Sequence, residues 1–215
     1  MNLLQNGNFE GGTHQWEGVS EIELPDGWTE FRWREEKISD GRPEVRVETF
    51  PLPDGEIHTV LKAFTTYRQH QYYIGQHITV HPGATYKFTA RVWCWSSKHD
   101  RPAVSWAGSY RTRIGVEDGD VAIWNVEVPG TKAVDQWVEH ELIFTPISGE
   151  IVVWLCGDAE WGIKHNDAYW DFVSLEMIEQ PASGDLNERI ENLEREIETL
   201  KQNWKGLTGY LSGIK

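Results

Sequence analysis

The sequence predicts an all-β sandwich over residues 1–180, a linker at 181–185 and an α-helical coiled coil over 186–215. Three observations carry this. Up to Gln180 the chain is a series of short strand-like runs broken by turn residues. Beyond it the hydrophobic period becomes that of a helix. And 12 tryptophans stand against two methionines, a ratio that asks for a wide β-core or a stacking surface.

Taken in order, the strand-like runs are Val45-Arg46-Val47, Gln76 to Val80, Tyr86 to Trp95, Glu139 to Thr145, Ile151 to Cys156 and Tyr169 to Ile178. Asp54-Gly55, Pro82-Gly83, Asp118-Gly119, Pro129-Gly130 and Ser148-Gly149 punctuate them, each supplying backbone angles that a tight turn needs. Cys94 and Cys156 sit inside apolar runs and read as buried free thiols; two cysteines are no disulfide framework.

After Gln180-Pro181-Ala182-Ser183-Gly184 the apolar residues Leu186, Ile190, Leu193, Ile197, Leu200, Trp204, Leu207, Leu211 and Ile214 alternate spacings of four and three. That is a heptad seam with Ile or Trp mostly at a and Leu at d. Arg189 at g then faces Glu194 at e of a parallel neighbour. Isoleucine at a with leucine at d favours two strands. Against it, Arg189 to Glu194 resembles the trimerisation signature of short parallel coiled coils, in which the arginine reaches the next helix while its methylenes cover the seam. Trp204 fits the wider axis of a trimer. The expectation is a parallel homotrimer, with a dimer second and a helix folded back on its own sandwich third. Gly206, Gly209 and Gly213 fall on the outer face and each weakens the helix by about 1 kcal/mol.

Twenty basic residues against 34 acidic ones give a formal charge of −14. Such a chain is a poor ligand for nucleic acid or for an anionic membrane surface. No run approaches the roughly 20 apolar residues of a membrane helix. Met1 to Gly7 has neither the basic region nor the apolar stretch of a signal peptide, so synthesis in a cytosol without signal-directed export is expected.

Three segments together resemble the carbohydrate-binding modules of the cellulase and xylanase type, the jelly rolls of families 4, 9, 16 and 22. Asn2 to Gly11, followed by Gly27-Trp28, looks like that family's first strand. Ile74 to Trp93 looks like its central hairpin, and Tyr169 to Leu175 like its last strand. The resemblance implies a jelly-roll sandwich and, often, one structural calcium between first and last strands. Glu10 and Asp171 would supply its carboxylates, oxygen donors suited to a hard cation. Phe172 stands where the family usually has a second aspartate, and bonding of both acids to turn amides is an equal alternative.

Along Tyr86 to Trp95, the residues Tyr86, Phe88, Ala90, Val92 and Cys94 form one apolar face, leaving Arg91, Trp93 and Trp95 on the other. Tyr110 to Ile114 repeats the pattern with Arg111 and Arg113. Indoles beside arginines can stack on a pyranose while guanidinium groups bond its hydroxyls, so Trp93, Trp95, Arg91, Arg111 and Arg113 are the expected ligand platform. A covering loop or partner subunit would explain the same pattern. Trp106, Trp124 and Trp161 are further candidates for a cleft wall, or plugs of the sandwich ends.

No catalytic constellation stands out. Glu117-Asp118-Gly119-Asp120 and Asp158-Ala159-Glu160 sit at turns, and His77 and His81 lack a third ligand at metal spacing. The expected function is a non-catalytic, oligomeric glycan-binding or adhesion protein. A phage virion component, tail fibre or capsid decoration, would reconcile sugar binding outside a cell with release by lysis. The alternative is a structural decoration or shell protein using the same fold without sugar. Linking weak heads would raise avidity by about 10²–10⁴.

Overall fold

The structure is a computed structural model that describes residues 1–34, 40–51, 55–100, 110–125, 136–180, 195, 197 and 201. The chain divides into two compact units, Met1–Glu179 and Gln180–Lys215.

The first unit is all β. Its strands are β1 (Thr13–Gln15), β2 (Glu23–Pro25), β3 (Glu30–Trp33), β4 (Glu44–Pro51), β5 (Ile57–Thr65), β6 (His70–Thr79), β7 (Thr85–Ser97), β8 (Tyr110–Asp118), β9 (Val121–Trp124), β10 (Trp137–Phe144), β11 (Glu150–Ala159) and β12 (His165–Glu179). Two five-stranded antiparallel sheets have the orders β10-β7-β12-β5-β4 and β3-β6-β11-β8-β9, and β1 and β2 pair as a ribbon. We call the five-stranded sheets A and B.

Strand alternation decides the core. Tyr86, Phe88, Ala90, Val92 and Cys94 of β7 all point inward, as their spacing requires. Leu61, Trp170 and Leu175 of sheet A join them, facing Tyr72, Ile74, Ile114, Val153 and Leu155 of sheet B. Both cysteines are buried and free, and burial pushes the Cys94 thiol well above its ordinary range.

Polar groups that enter this core are bonded in chains. Thr65 Oγ1 donates to the Arg68 carbonyl, so at 2.8 Å it accepts from His70 Nδ1. His70 Nε2 must then accept from the Tyr110 hydroxyl, also at 2.8 Å. Tyr110 is bonded in turn to Tyr72, whose oxygen accepts the Trp170 indole N–H at 2.8 Å. This chain ties sheet A to sheet B with every group used. A second one places His140 between Thr112 Oγ1 and Asn125 Nδ2, both at 2.9 Å. Asn125 Oδ1 accepts the Ile114 N–H, so its amide nitrogen donates to His140 Nδ1.

Two expected details change. Asn2 to Gly11 is a run of turns. It lies along β12, with Leu3 N–H donating to Leu175 O and Val173 N–H to Gly7 O, both at 2.8 Å. The Asn2 side chain continues the bonding where the backbone cannot, donating to Val173 O and accepting from Leu175 N–H. Ile74 to Trp93 is no hairpin either. β6 belongs to sheet B and β7 to sheet A, so Pro82-Gly83 turns the chain from one sheet to the other.

In the second unit Arg195, Ile197 and Lys201 are helical and exposed, Ile197 by 50%. The other seam positions, Leu186, Arg189, Ile190, Leu193, Glu194, Leu200 and Trp204, lie outside the described residues. Among the described residues no helix is long and apolar enough to cross a membrane.

Candidate functional site

Each sheet has an outer face, and both carry aromatic residues. β7 and β8 lie in different sheets, so their outward side chains point to opposite sides of the sandwich. Arg91, Trp93 and Trp95 therefore stand on the outer face of sheet A, and Arg111 and Arg113 on that of sheet B. The expected platform of five is split, and neither half is an open stacking surface.

On sheet A, Trp93 is only 1% exposed. It forms a second apolar cluster with Val60 and Tyr169, packed by Phe50, Trp95 and Trp137. Phe50 stacks on Tyr169 with centroids 4.3 Å apart. Lys62 lies over Tyr169 and Phe64 and pairs with Glu48 and Asp167. Burial raises the Asp167 carboxyl, and Tyr169 donates to it at 3.0 Å. Trp95 stacks on the His165 ring at 4.1 Å.

On sheet B, Trp154 lies opposite Gly75 on one side and Gly115 on the other. A Cβ on Gly75 would meet the Trp154 ring at 2.8 Å, and one on Gly115 the Trp124 ring at 2.3 Å, so the glycines make room for these indoles. Arg32 covers Trp154 and Arg113 covers Trp124, each guanidinium carbon 4.4 Å from the ring centroid. Arg32 pairs with Glu117 at 3.2 Å and Arg111 with Asp158 at 3.1 Å. This face is sealed by paired charges.

Sheet A, by contrast, has an open depression of ≈ 540 Å³ across β10, β7 and β12. Lys87, Thr89 and Arg91 form its floor with Glu139 and Glu141, which lie opposite Arg91 and Thr89 in register. Its apolar wall is Phe172, 52% exposed. The β12 pairing explains why this phenylalanine faces out. Trp170 pairs with Val92 and Val173 with Ala90, so three steps on β12 match two on β7. The extra residue is a bulge, and it turns Asp171 and Phe172 away from the core.

Charge in the groove is largely paired. Lys87 Nζ meets Glu141 at 2.5 Å. Arg91 is bonded to Asp171 and its guanidinium carbon lies over Trp137, 4.2 Å from the ring centroid. Glu139 adds a further carboxylate.

Glu10 and Asp171, the acids expected to hold a cation, each have protein partners in this structure. Asp171 is held by Arg91 and by His58 Nδ1 at 3.3 Å, and Glu10 accepts from the Asn8 amide at 2.7 Å. A calcium ion needs about 6–8 oxygens, whereas Asp171 already faces two cationic or potentially cationic groups. Among the described residues no three His, Cys, Asp or Glu gather as a metal group.

No protein-family model matches the chain, and no curated protein is similar to it in sequence. Solved structures match its fold. One is a family 61 carbohydrate-binding module in complex with β-1,4-galactotriose, 14% identical, with TM-score 0.50, covering 82% of this chain and 99% of its own. The body has the jelly-roll fold of carbohydrate-binding modules. A family 16 module is 18% identical, with TM-score 0.45, over 81% of this chain and 99% of that one. The enzymatically active domain of bacteriophage CBA120 tailspike protein 4 is 13% identical, with TM-score 0.45, over 82% of this chain and 21% of that one.

Phe172 and the Glu139–Glu141 row were not singled out from the sequence. The available signal was Trp170 and Val173, both suited to a core but three residues apart on one strand. Of the loop tryptophans, Trp124 is capped by Arg113, Trp161 is 53% exposed, and Trp106 lies outside the described residues.

Proposed function

We propose that the sandwich is a non-catalytic glycan-binding module whose ligand lies in the sheet A groove, stacked on Phe172. The supporting observation is an open groove that joins a half-exposed aromatic ring to a floor of carboxylate, hydroxyl and guanidinium groups. Sugar hydroxyls would donate to Glu139 and Glu141 and accept from Arg91 and Lys87. Paired charges with one extra carboxylate favour a neutral glycan over a uronate or a sulfated one. Glu139 and Glu141 stand two residues apart on one strand, hence on one side of any ligand. Glycoside hydrolysis needs carboxyl groups flanking the scissile bond.

The heptad segment would join heads into a parallel homotrimer, giving weak grooves avidity. In that assembly the chain would serve as an adhesive or decorating head, for which a phage particle is the setting the architecture fits. Affinity electrophoresis in neutral and acidic polysaccharides tests the groove. Phe172→Ala should weaken retention about tenfold, or about 1.4 kcal/mol. A wild-type chain retained by no polysaccharide would leave the purely structural role. Light scattering should give three times the chain mass for the intact protein and one times for a chain truncated before Gly184.

A further inference from the structure

Sugar stacking needs a ring face open to solvent. Among the described residues three aromatics are exposed: Phe172, Trp161 by 53% and Tyr67 by 63%. Phe172 belongs to the groove. The other two lie elsewhere, on the turn between β5 and β6 and the turn between β11 and β12. This end of the sandwich is where His165 pairs with Ser97. Ser97 is six residues along β7 from Arg91, about 20 Å at 3.3 Å per residue.

The two turns are fastened to each other. Tyr67 N–H donates to Ile163 O at 2.8 Å. The side chain of Asn166, fully buried, donates to Arg68 O at 3.0 Å and to Trp161 O at 2.7 Å, and accepts from Ser96 Oγ at 3.0 Å. Gln69 donates to Glu160 O. A Cβ on Gly162 would come to 3.0 Å from the Tyr67 carbonyl. Tyr67 itself has φ +58°, a left-handed conformation that is strained for a bulky residue. The framework thus fixes two turns while leaving both rings in water, although burial of apolar ring surface is favourable. Backbone held this way loses little freedom when a ligand arrives.

Polar groups stand beside them. Asp100 bridges Lys164 Nζ at 2.6 Å and His165 Nε2 at 2.8 Å. Lys164 is within electrostatic reach of Tyr67. An ammonium–carboxylate pair whose lysine lies on the same turn as Trp161 offers donors and acceptors for vicinal hydroxyls without net charge.

We propose that Tyr67 and Trp161 form a second glycan-binding site at this end, stacking on pyranose rings of a neutral glycan while Lys164 and Asp100 bond its hydroxyls. This rests on the reading of the module as a sugar binder but not on the groove. Each chain then holds two contacts about 20 Å or more apart, which a long polysaccharide can bridge and a disaccharide cannot.

The test uses the full chain in affinity electrophoresis with soluble β-1,4-galactan, xylan and glucomannan, and calorimetry with their di- and hexasaccharides. Four proteins are compared: wild type, Phe172→Ala, the pair Tyr67→Ala with Trp161→Ala, and all three together. The expected result is partial retention in Phe172→Ala, about tenfold weaker binding in the paired variant, and loss in the triple variant. Binding by the paired variant at wild-type strength overturns the second site and leaves the groove standing. Wild-type chain retained by none of the three polysaccharides overturns both. A fall in particle mass with unchanged sugar affinity in the paired variant also overturns it, because the rings would then contact a second copy of the chain.

Discussion

Lowering the pH should unfold this sandwich through two buried histidines. Unfolded, each imidazole titrates near 6.5. Folded, burial holds His70 down to about 3 and His140 down to about 4. The geometry gives the reason. At His140 Nδ1 a proton would confront the Asn125 amide N–H₂, which already donates there. At His70 Nε2 it would force Tyr110 to turn its hydrogen to Tyr72, and leave the Tyr72 hydrogen with no acceptor. Because the unfolded chain binds these protons and the folded one does not, stability is complete above about pH 6.5. It falls as the pH drops towards each folded value and falls no further below it. At pH 4.5 each histidine removes about 2–3 kcal/mol, and the two together about 5 kcal/mol, from a fold of order 5–15 kcal/mol.

Urea unfolding at pH 7 and pH 4.5 measures this loss, and His140→Gln isolates one part of it. Glutamine can accept from Asn125 and donate to Thr112 but cannot ionise. Its loss between the two pH values should be about 2–3 kcal/mol smaller than that of wild type. An equal loss in both proteins would refute the reasoning, since carboxylates alone would then account for the acid limb.

Three further outcomes follow from the packing. Trp93→Ala should destabilise by about 3–5 kcal/mol in chemical unfolding, because the indole fills a closed cluster; retained stability with weakened sugar binding would restore it as a platform residue. Gly115→Ala should cost about 1–3 kcal/mol, since its Cβ would enter the Trp124 ring; an unchanged melting temperature would place that ring elsewhere. A calcium chelator should leave the melting temperature unchanged, and a drop of several degrees would mean that Asp171 leaves Arg91 to bind an ion.

The alternation along Tyr86 to Trp95 was legible and correct: the same five residues face inward as their spacing demands. So was the strand character of the runs at Glu139 to Thr145, Ile151 to Cys156 and Tyr169 to Ile178. What alternation cannot say is which strand lies alongside. β7 pairs with β10 and β12, far away in sequence, while its chain neighbours β6 and β8 lie across the core. That non-local pairing split Arg111 and Arg113 from Trp93. It also hid the bulge at Asp171-Phe172, which exists only relative to a partner strand. Burial of an outward tryptophan is equally a property of what packs on it, here Phe50 and Tyr169.

The outer-face tryptophans therefore need a different account from the one their position invites. A guanidinium at about 4 Å from an indole contributes about 0.5–2 kcal/mol, and here each such arginine is also oriented by a partner group. Arg32 is bonded to Glu117, Arg91 to Asp171, and Arg113 to the Tyr73 hydroxyl. An indole so capped is a rigid filler between strands. A sugar could displace the arginine only by breaking its bond and stripping its stacking partner, at a cost comparable to what one stacked sugar returns. In the proposed reading, ligand contact falls to rings that leave the regular ladder: Phe172 at a bulge, Tyr67 at a left-handed turn and Trp161 on the turn fastened to it. In each case the same irregularity that frees the ring from packing also holds its backbone, so exposure and rigidity arise together.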